Sequence, residues 1–137
     1  MDLKKFTVYV ASFSYNYGQI PVDPFGHGGG FVFDCRVVFN PGRLPEYSDY
    51  TGLQKSVVEW LENHPSTALF WNSVINTVET ALQLSDLKGA YEKSFCFGCT
   101  GGRHRSVYFA NKLSDWLNEK GATVILEHIQ LKKIGLL

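Results

Sequence analysis

The stretch Lys93-Ser94-Phe95-Cys96-Phe97-Gly98-Cys99-Thr100-Gly101-Gly102-Arg103-His104-Arg105-Ser106-Val107 decides the fold. Its opening residues predict a strand over about 93–98. Thr100-Gly101-Gly102 then predicts a tight turn. Beyond it, Val107, Ala110, Leu113 and Leu117 share one face, which predicts a helix over about 103–120 with Gly121 at its C′ position. Glycines at a strand–helix junction let successive N–H groups turn into one concavity, to which the helix dipole adds. Arg103, His104 and Arg105 can add charge, and arginine can hold phosphate bidentately. The stretch is therefore an expected anion site for phosphate, or else a glycine turn needed only for tight packing.

Outward from this junction the elements alternate. Phe6-Thr7-Val8-Tyr9-Val10-Ala11 predicts a strand, followed by a loop punctuated by Gly18, Pro21, Pro24, Gly26 and Gly28-Gly29-Gly30. A second strand is expected over about 31–39, broken by Asn40-Pro41-Gly42. Leu53, Val57 and Leu61 recur every four residues in a short helix ended by Pro65. Ser66 is an expected N-cap for a longer helix of about 67–86, where Phe70, Val74, Val78 and Leu82 form one stripe. A strand over about 123–129 is expected to close the chain. The alternation predicts one layered α/β domain, with a mixed, partly parallel sheet flanked by helices.

The 137-residue chain is 45% apolar, enough for a core without staples. Its 13 basic and 13 acidic residues cancel, which excludes a strongly basic nucleic-acid binder by total charge alone. The cancellation is uneven: residues 1–43 carry net +1, residues 44–92 net −5 and residues 93–137 net +4. No apolar run approaches the ~20 residues of a membrane span, and no cleavable leader pattern opens the chain. A cytoplasmic protein is expected, and Cys35, Cys96 and Cys99 suit a reducing compartment. An offset of three puts Cys96 and Cys99 on opposite strand faces, and a single Cys-x-x-Cys with no second pair is no zinc signature. No metal site and no cofactor are expected.

Several residues could carry chemistry. The glycine turn also reads Cys-x5-Arg-Ser, from Cys99 to Arg105 and Ser106, the spacing of cysteine-dependent phosphatases. There a thiolate sits beneath a phosphate loop, its pKa lowered by the helix start and the arginine, and Ser106 could hydrogen-bond it. Gly98 stands where those enzymes usually have histidine, and no loop aspartate offers itself as general acid. Asp34 and Arg36 share a strand face, either as a structural pair or as ligand contacts. Ser12-Phe13-Ser14-Tyr15-Asn16-Tyr17-Gly18 interleaves hydroxyls with aromatics, which suits a ring-shaped ligand or a core-closing turn equally. Basic residues of the last third, Arg103, Lys112, Lys132 and Lys133, could contact RNA phosphates or form a solvated face.

Together with Asn40-Pro41 and Thr51-Gly52-Leu53, these motifs occur in the order seen in the C-terminal domain of the RNase adapter protein RapZ, which the chain resembles over nearly its whole length. The resemblance implies a phosphofructokinase-subdomain-like fold and a regulatory sensor and adapter domain. It implies binding of an amino-sugar phosphate, glucosamine-6-phosphate, and of small regulatory RNA. Carried over by motif position, Cys99, Thr100, Gly101, Gly102, His104, Arg105 and Ser106 would surround the phosphorylated ligand. Asp34 and Arg36 would line the pocket, with Ser12 and Thr51 as further candidates. Full-length members carry an N-terminal P-loop domain, whereas no Gly-x4-Gly-Lys-Ser/Thr exists here, so ATP hydrolysis is not implied. A homo-oligomer or a separately encoded kinase-like partner is compatible with such a domain. Asn16 stands where the family tends to have lysine, and Glu127-His128-Ile129 where it has Arg-His-Arg. That exchange is expected to weaken RNA binding.

Overall fold

The computed structural model describes all residues from Met1 to Leu137. Four strands, β1 (Thr7–Ser14), β2 (Phe31–Asp34), β3 (Glu92–Cys99) and β4 (Thr123–His128), form one sheet in the order β2-β3-β1-β4. Every pairing is parallel, so the sheet is fully rather than partly parallel. The register aligns Ser12 with Phe97 and with His128, Ser14 with Cys99, and Asp34 with Gly98. All four strands therefore end at one edge of the domain, where the crevice of an open parallel sheet lies.

Four helices complete the fold: α1 (Lys55–Asn63), α2 (Pro65–Lys88), α3 (Arg105–Glu119) and α4 (Ile129–Lys133). On one sheet face Val8, Val10, Phe95, Phe97 and Cys99 pack against α3 and the apolar stripes of α1 and α2. Phe97 stacks on Phe33 and Phe109, and fully burying each such ring stabilises by roughly 1.5–3 kcal/mol. The opposite face is thinner: Tyr9, Ala11, Phe13 and Cys96 are covered by Tyr15, Phe25 and Ile129. Cys96 and Cys99 thus lie on opposite faces, as their spacing requires. No helix is long and apolar enough to cross a membrane.

The first strand runs on past Ala11 to Ser14, so Ser12, Phe13 and Ser14 belong to β1 rather than to the loop after it. Three other element ends differ from the sequence expectation for local reasons. The strand expected to continue to residue 39 stops at Asp34, whose carboxylate accepts the amide of Arg36 at 3.0 Å and opens a 3-10 turn over Cys35–Val37. The long helix starts at Pro65, with His64 rather than Ser66 as its N-cap; Nδ1 of His64 accepts the Ser66 amide at 3.2 Å. Proline is favoured at that first position because its missing N–H would have had no partner there. The last strand ends at His128 and is followed by α4, so a strand does not close the chain. At the other end of α3, Gly121 adopts φ +93°, and the amides of Gly121 and Ala122 return to Asn118 and Leu117 as a C-terminal cap.

Candidate functional site

Thr100–His104 link β3 to α3 at the shared end of the strands. Gly102 holds φ +69°, and an added Cβ there would sit 2.8 Å from Gln130 Cβ and 2.9 Å from Ser14. The turn is thus pressed onto β1 and α4 by a residue that must lack a side chain. Two further bonds fix it: Thr100 O accepts Ser14 Oγ at 2.7 Å and the Asn16 amide at 3.3 Å. Outside the turn, Gly52 donates its amide to Arg103 O at 2.8 Å and lies so close that a Cβ would meet His104 O at 2.3 Å. None of the amides from Gly101 to Val107 donates to a backbone carbonyl, and the first helical donor, Tyr108, returns to His104 O at 3.0 Å. Seven consecutive N–H groups at a helix start form a concentrated region of positive potential.

Arg105 brings a full charge to the same place although it is only 5% exposed. Its Nη1 donates to Val38 O at 2.8 Å and to Arg36 O at 3.0 Å. Its Nε is buried without a partner, and Nη2 reaches only Thr100 Oγ1, at 3.5 Å. The Nε–Nη2 edge, the one that grips an oxyanion bidentately, is therefore held only by the long contact to Thr100 Oγ1 beside the turn. Cys99 Sγ and Ser106 Oγ share a hydrogen bond at 3.1 Å beneath it, with the thiol's residue 2% exposed.

His104 does not add charge to this centre. Its Nε2 lies 2.9 Å from Tyr47 O, and because a carbonyl only accepts, Nε2 carries the proton. Burial lowers its pKa, with the charges of Arg103 and Arg105 acting the same way. The neutral ring instead braces the turn around Gly42, whose Cβ position would fall 2.8 Å from it. Thr51 serves its own turn: its Oγ1 accepts the Leu53 amide at 3.1 Å and its amide donates to Gln54 Oε1.

Asp34 and Arg36 form a bidentate ion pair, Nε to Oδ1 and Nη2 to Oδ2, both at 2.8 Å. The guanidinium lies 3.8 Å above the Tyr15 ring centroid, and Arg36 beside it holds the Asp34 carboxyl below the usual carboxylate range. Ser12 is fully buried, and its Oγ shares a 2.7 Å hydrogen bond with His128 Nδ1. It underlies the site and does not open onto it.

His128 Nε2 is buried without a partner, and burial pushes the pKa down to about 4. The native state then binds fewer protons than the unfolded chain between about pH 4 and the ~6.5 of free histidine, so stability falls as pH drops through that window. Urea unfolding at pH values spanning it should lose up to about 3 kcal/mol, and His128→Asn should flatten much of that slope. An unchanged slope in the variant would assign the pH dependence elsewhere.

The basic residues expected to form an RNA face have separate local partners. Arg103 Nη2 donates to Asp49 O at 2.8 Å, and Lys112 sits over Trp71 while donating to Tyr108 Oη at 3.3 Å. Lys133 donates to Tyr17 O at 2.6 Å, and Lys132 is exposed on α4. Arg43, which the sequence did not single out, joins the site through the 3-10 turn Pro41–Arg43, and nothing in its spacing from the glycine turn signals that approach. No cluster of three or more metal-ligating side chains is present.

A parallel α/β domain whose unpaired amides and half-committed arginine meet at a glycine turn is the class that fold and site define. The chain belongs to the family described as the RapZ C-terminal domain, whose model matches residues 6–132. It is 35% identical over 128 residues to a nucleotide-binding protein of Thermotoga sp. (strain RQ2), covering 93% of this chain and 43% of that protein. Nucleotide-binding proteins of Glaesserella parasuis and Actinobacillus succinogenes are 36% and 34% identical over 130 residues, each match covering 95% of this chain and 43% of the relative. The chain thus spans less than half the length of these curated relatives.

Proposed function

We propose that this domain is a regulatory binding module for a phosphorylated metabolite, with the phosphate at the Gly101–Val107 amides and the free edge of Arg105. The observation that carries the reading is the buried Arg105 Nε without a partner beside seven unpaired amides. A buried guanidinium donor and a helix start without acceptors are both costly alone, and one oxyanion would satisfy both. Phosphate is the chemistry common to sugar phosphates and to the nucleotides in the relatives' names. An amino-sugar phosphate is the specific ligand that the family resemblance favours. Calorimetric titration with glucosamine-6-phosphate is expected to give a saturable single-site isotherm; no heat at millimolar ligand would overturn the reading.

A cysteine-phosphatase reading draws support from the Cys99–Ser106 hydrogen bond. Asp34 does not suit it as general acid, because Arg36 favours its ionised form and a general acid must start protonated. Turnover of a chromogenic phosphate ester that disappears in Cys99→Ser would decide for it. Structured RNA as a partner draws less support, since Arg103, Lys112 and Lys133 already bind groups within the chain.

A further inference from the structure

The glycine-rich loop between β1 and β2, which the phosphate reading leaves unused, walls a cleft of about 630 Å³ at the end of the sheet opposite the glycine turn. Phe31 and Tyr91 also line it, and the first residues of β3, Glu92, Lys93 and Ser94, form one side. From this cleft we infer that the domain docks an extended peptide segment of a protein partner. The segment pairs with the free edge of β3 and carries an acidic side chain opposite Lys93. The site is separate from the glycine turn and does not rest on the phosphate reading.

β2 begins too late to cover this edge. Its first residue, Phe31, pairs with Phe95, so from Glu92 to Ser94 β3 has β1 on one side and no strand on the other. The N–H of Thr7 donates to Tyr91 O at 2.9 Å, and that of Tyr15 to Cys99 O at 3.0 Å. Backbone direction alternates along a strand, so Lys93 turns its N–H and C=O to β1, while Glu92 and Ser94 turn theirs to the cleft. No residue of the loop bonds the Ser94 N–H or the Glu92 C=O. Ser94 is only 5% exposed, and its hydroxyl, too, has no hydrogen-bond partner within the chain. Buried donors without acceptors are costly. One extended residue would satisfy the backbone pair in a parallel ladder, its C=O accepting from Ser94 and its N–H donating to Glu92. Such a residue continues the direction of β2.

The loop holds the edge open. The Asp23 carboxylate accepts the amides of Phe25, His27 and Gly29, which ties the loop back on itself and turns that charge into the loop. Gly28 and Gly29, at φ +82° and +125°, take backbone that residues with side chains rarely adopt. Gly30 passes so close to β3 that a Cβ there would collide with Ser94 Oγ. Glu92 is engaged by His27, with Nε2 3.1 Å from Oε1. Lys93 makes no ion pair. A residue paired with Lys93 puts its side chain on the same face, beside the ammonium. Lys5, 5.6 Å from the centre of the Tyr91 ring, adds a second positive charge at this wall. These two ammoniums favour a carboxylate on the incoming strand.

The test screens the full chain against an array of acetylated, amidated pentapeptides with a central glutamate and varied flanks. Binders are expected, and the strongest should lose about tenfold in affinity when its glutamate nitrogen is methylated, which removes one backbone bond. Lys93→Glu should invert the preference between a central glutamate and a central lysine. By NMR the Ser94 amide should shift on binding while those of Gly101 and Gly102 stay in place. No binder on the array, indifference to N-methylation, or shifts confined to the glycine turn would overturn the inference. A concentration-dependent dimer in sedimentation that Lys93→Glu disperses would also overturn it, by assigning the edge to a second copy of the chain.

Discussion

Arg105→Ala is expected to bind glucosamine-6-phosphate at least about a hundredfold more weakly than the parent protein, and to unfold at lower urea concentration. Hydrogen bonds to charged groups contribute roughly 1.5–3 kcal/mol each, and the variant loses the two offered by the Nε–Nη2 edge. It also strips the donor from Arg36 O and Val38 O, which Nη1 serves at 3.0 and 2.8 Å. The Val38 carbonyl is buried and the Arg36 carbonyl partly so; a buried carbonyl left unpaired costs roughly 1–3 kcal/mol, so a stability loss of about 1–4 kcal/mol is expected. Arg105→Lys separates the two effects. Its ammonium keeps the charge but cannot span two carbonyls and grip an oxyanion, so affinity should fall further than stability. Parent-like affinity in either variant would make Arg105 a purely structural residue and remove the main support for the phosphate site.

The second large effect is expected at Gly102. Alanine there would hold φ +69° against its preference and drive a Cβ to within 2.8–2.9 Å of Gln130 and Ser14. The left-handed backbone costs about 1–2 kcal/mol and the overpacking about 1–3 kcal/mol, so Gly102→Ala should lose about 2–5 kcal/mol and lift the turn off β1. Gly101→Ala is the contrast, because its Cβ would meet nothing within 4 Å and its φ is not positive. That variant should stay within about 0.5 kcal/mol of the parent in thermal or urea unfolding. Equal stability of the two variants would show that the close approach of Gly102 to Ser14 does not hold the turn.

The strand–turn–helix junction was readable in the sequence because its signals are local: glycines in pairs, then apolar residues at helical spacing. Cys96 and Cys99 fell on opposite faces for the same reason, since strand alternation needs only three residues of context. The end of β2 was not readable. Residues 35–39 have a strand-like composition, and what diverts them is the Asp34 carboxylate together with Arg105, which lies about seventy positions downstream and takes the carbonyls of Arg36 and Val38. His104 looked like a cation beside a phosphate, but its charge depends on burial and on Tyr47, neither visible in a linear motif. Arg43 was missed because its turn reaches the site through tertiary packing, including the approach of Gly42 to His104, which no linear motif shows. Ser12 was expected in the loop just beyond the first strand but lies within β1, and whether it lies under the site or opens onto it depends on its pairing with His128.

The strand order bears on how the chain assembles in time. β1 pairs only with β3 and β4, and β2 only with β3. No sheet contact exists between any of the first 91 residues, so the two N-terminal strands have no partner until β3, starting at Glu92, is available. Closing loops of that length before any pairing is rewarded favours slow folding. During synthesis β1 would leave the ribosome as an unpaired apolar segment and wait for the same β3 that ends in the glycine turn. The strand that leads into the proposed phosphate-binding turn is thus also the one both N-terminal strands need as a partner, and a nascent chain stopped short of it would expose two free strand edges to aggregation or chaperones.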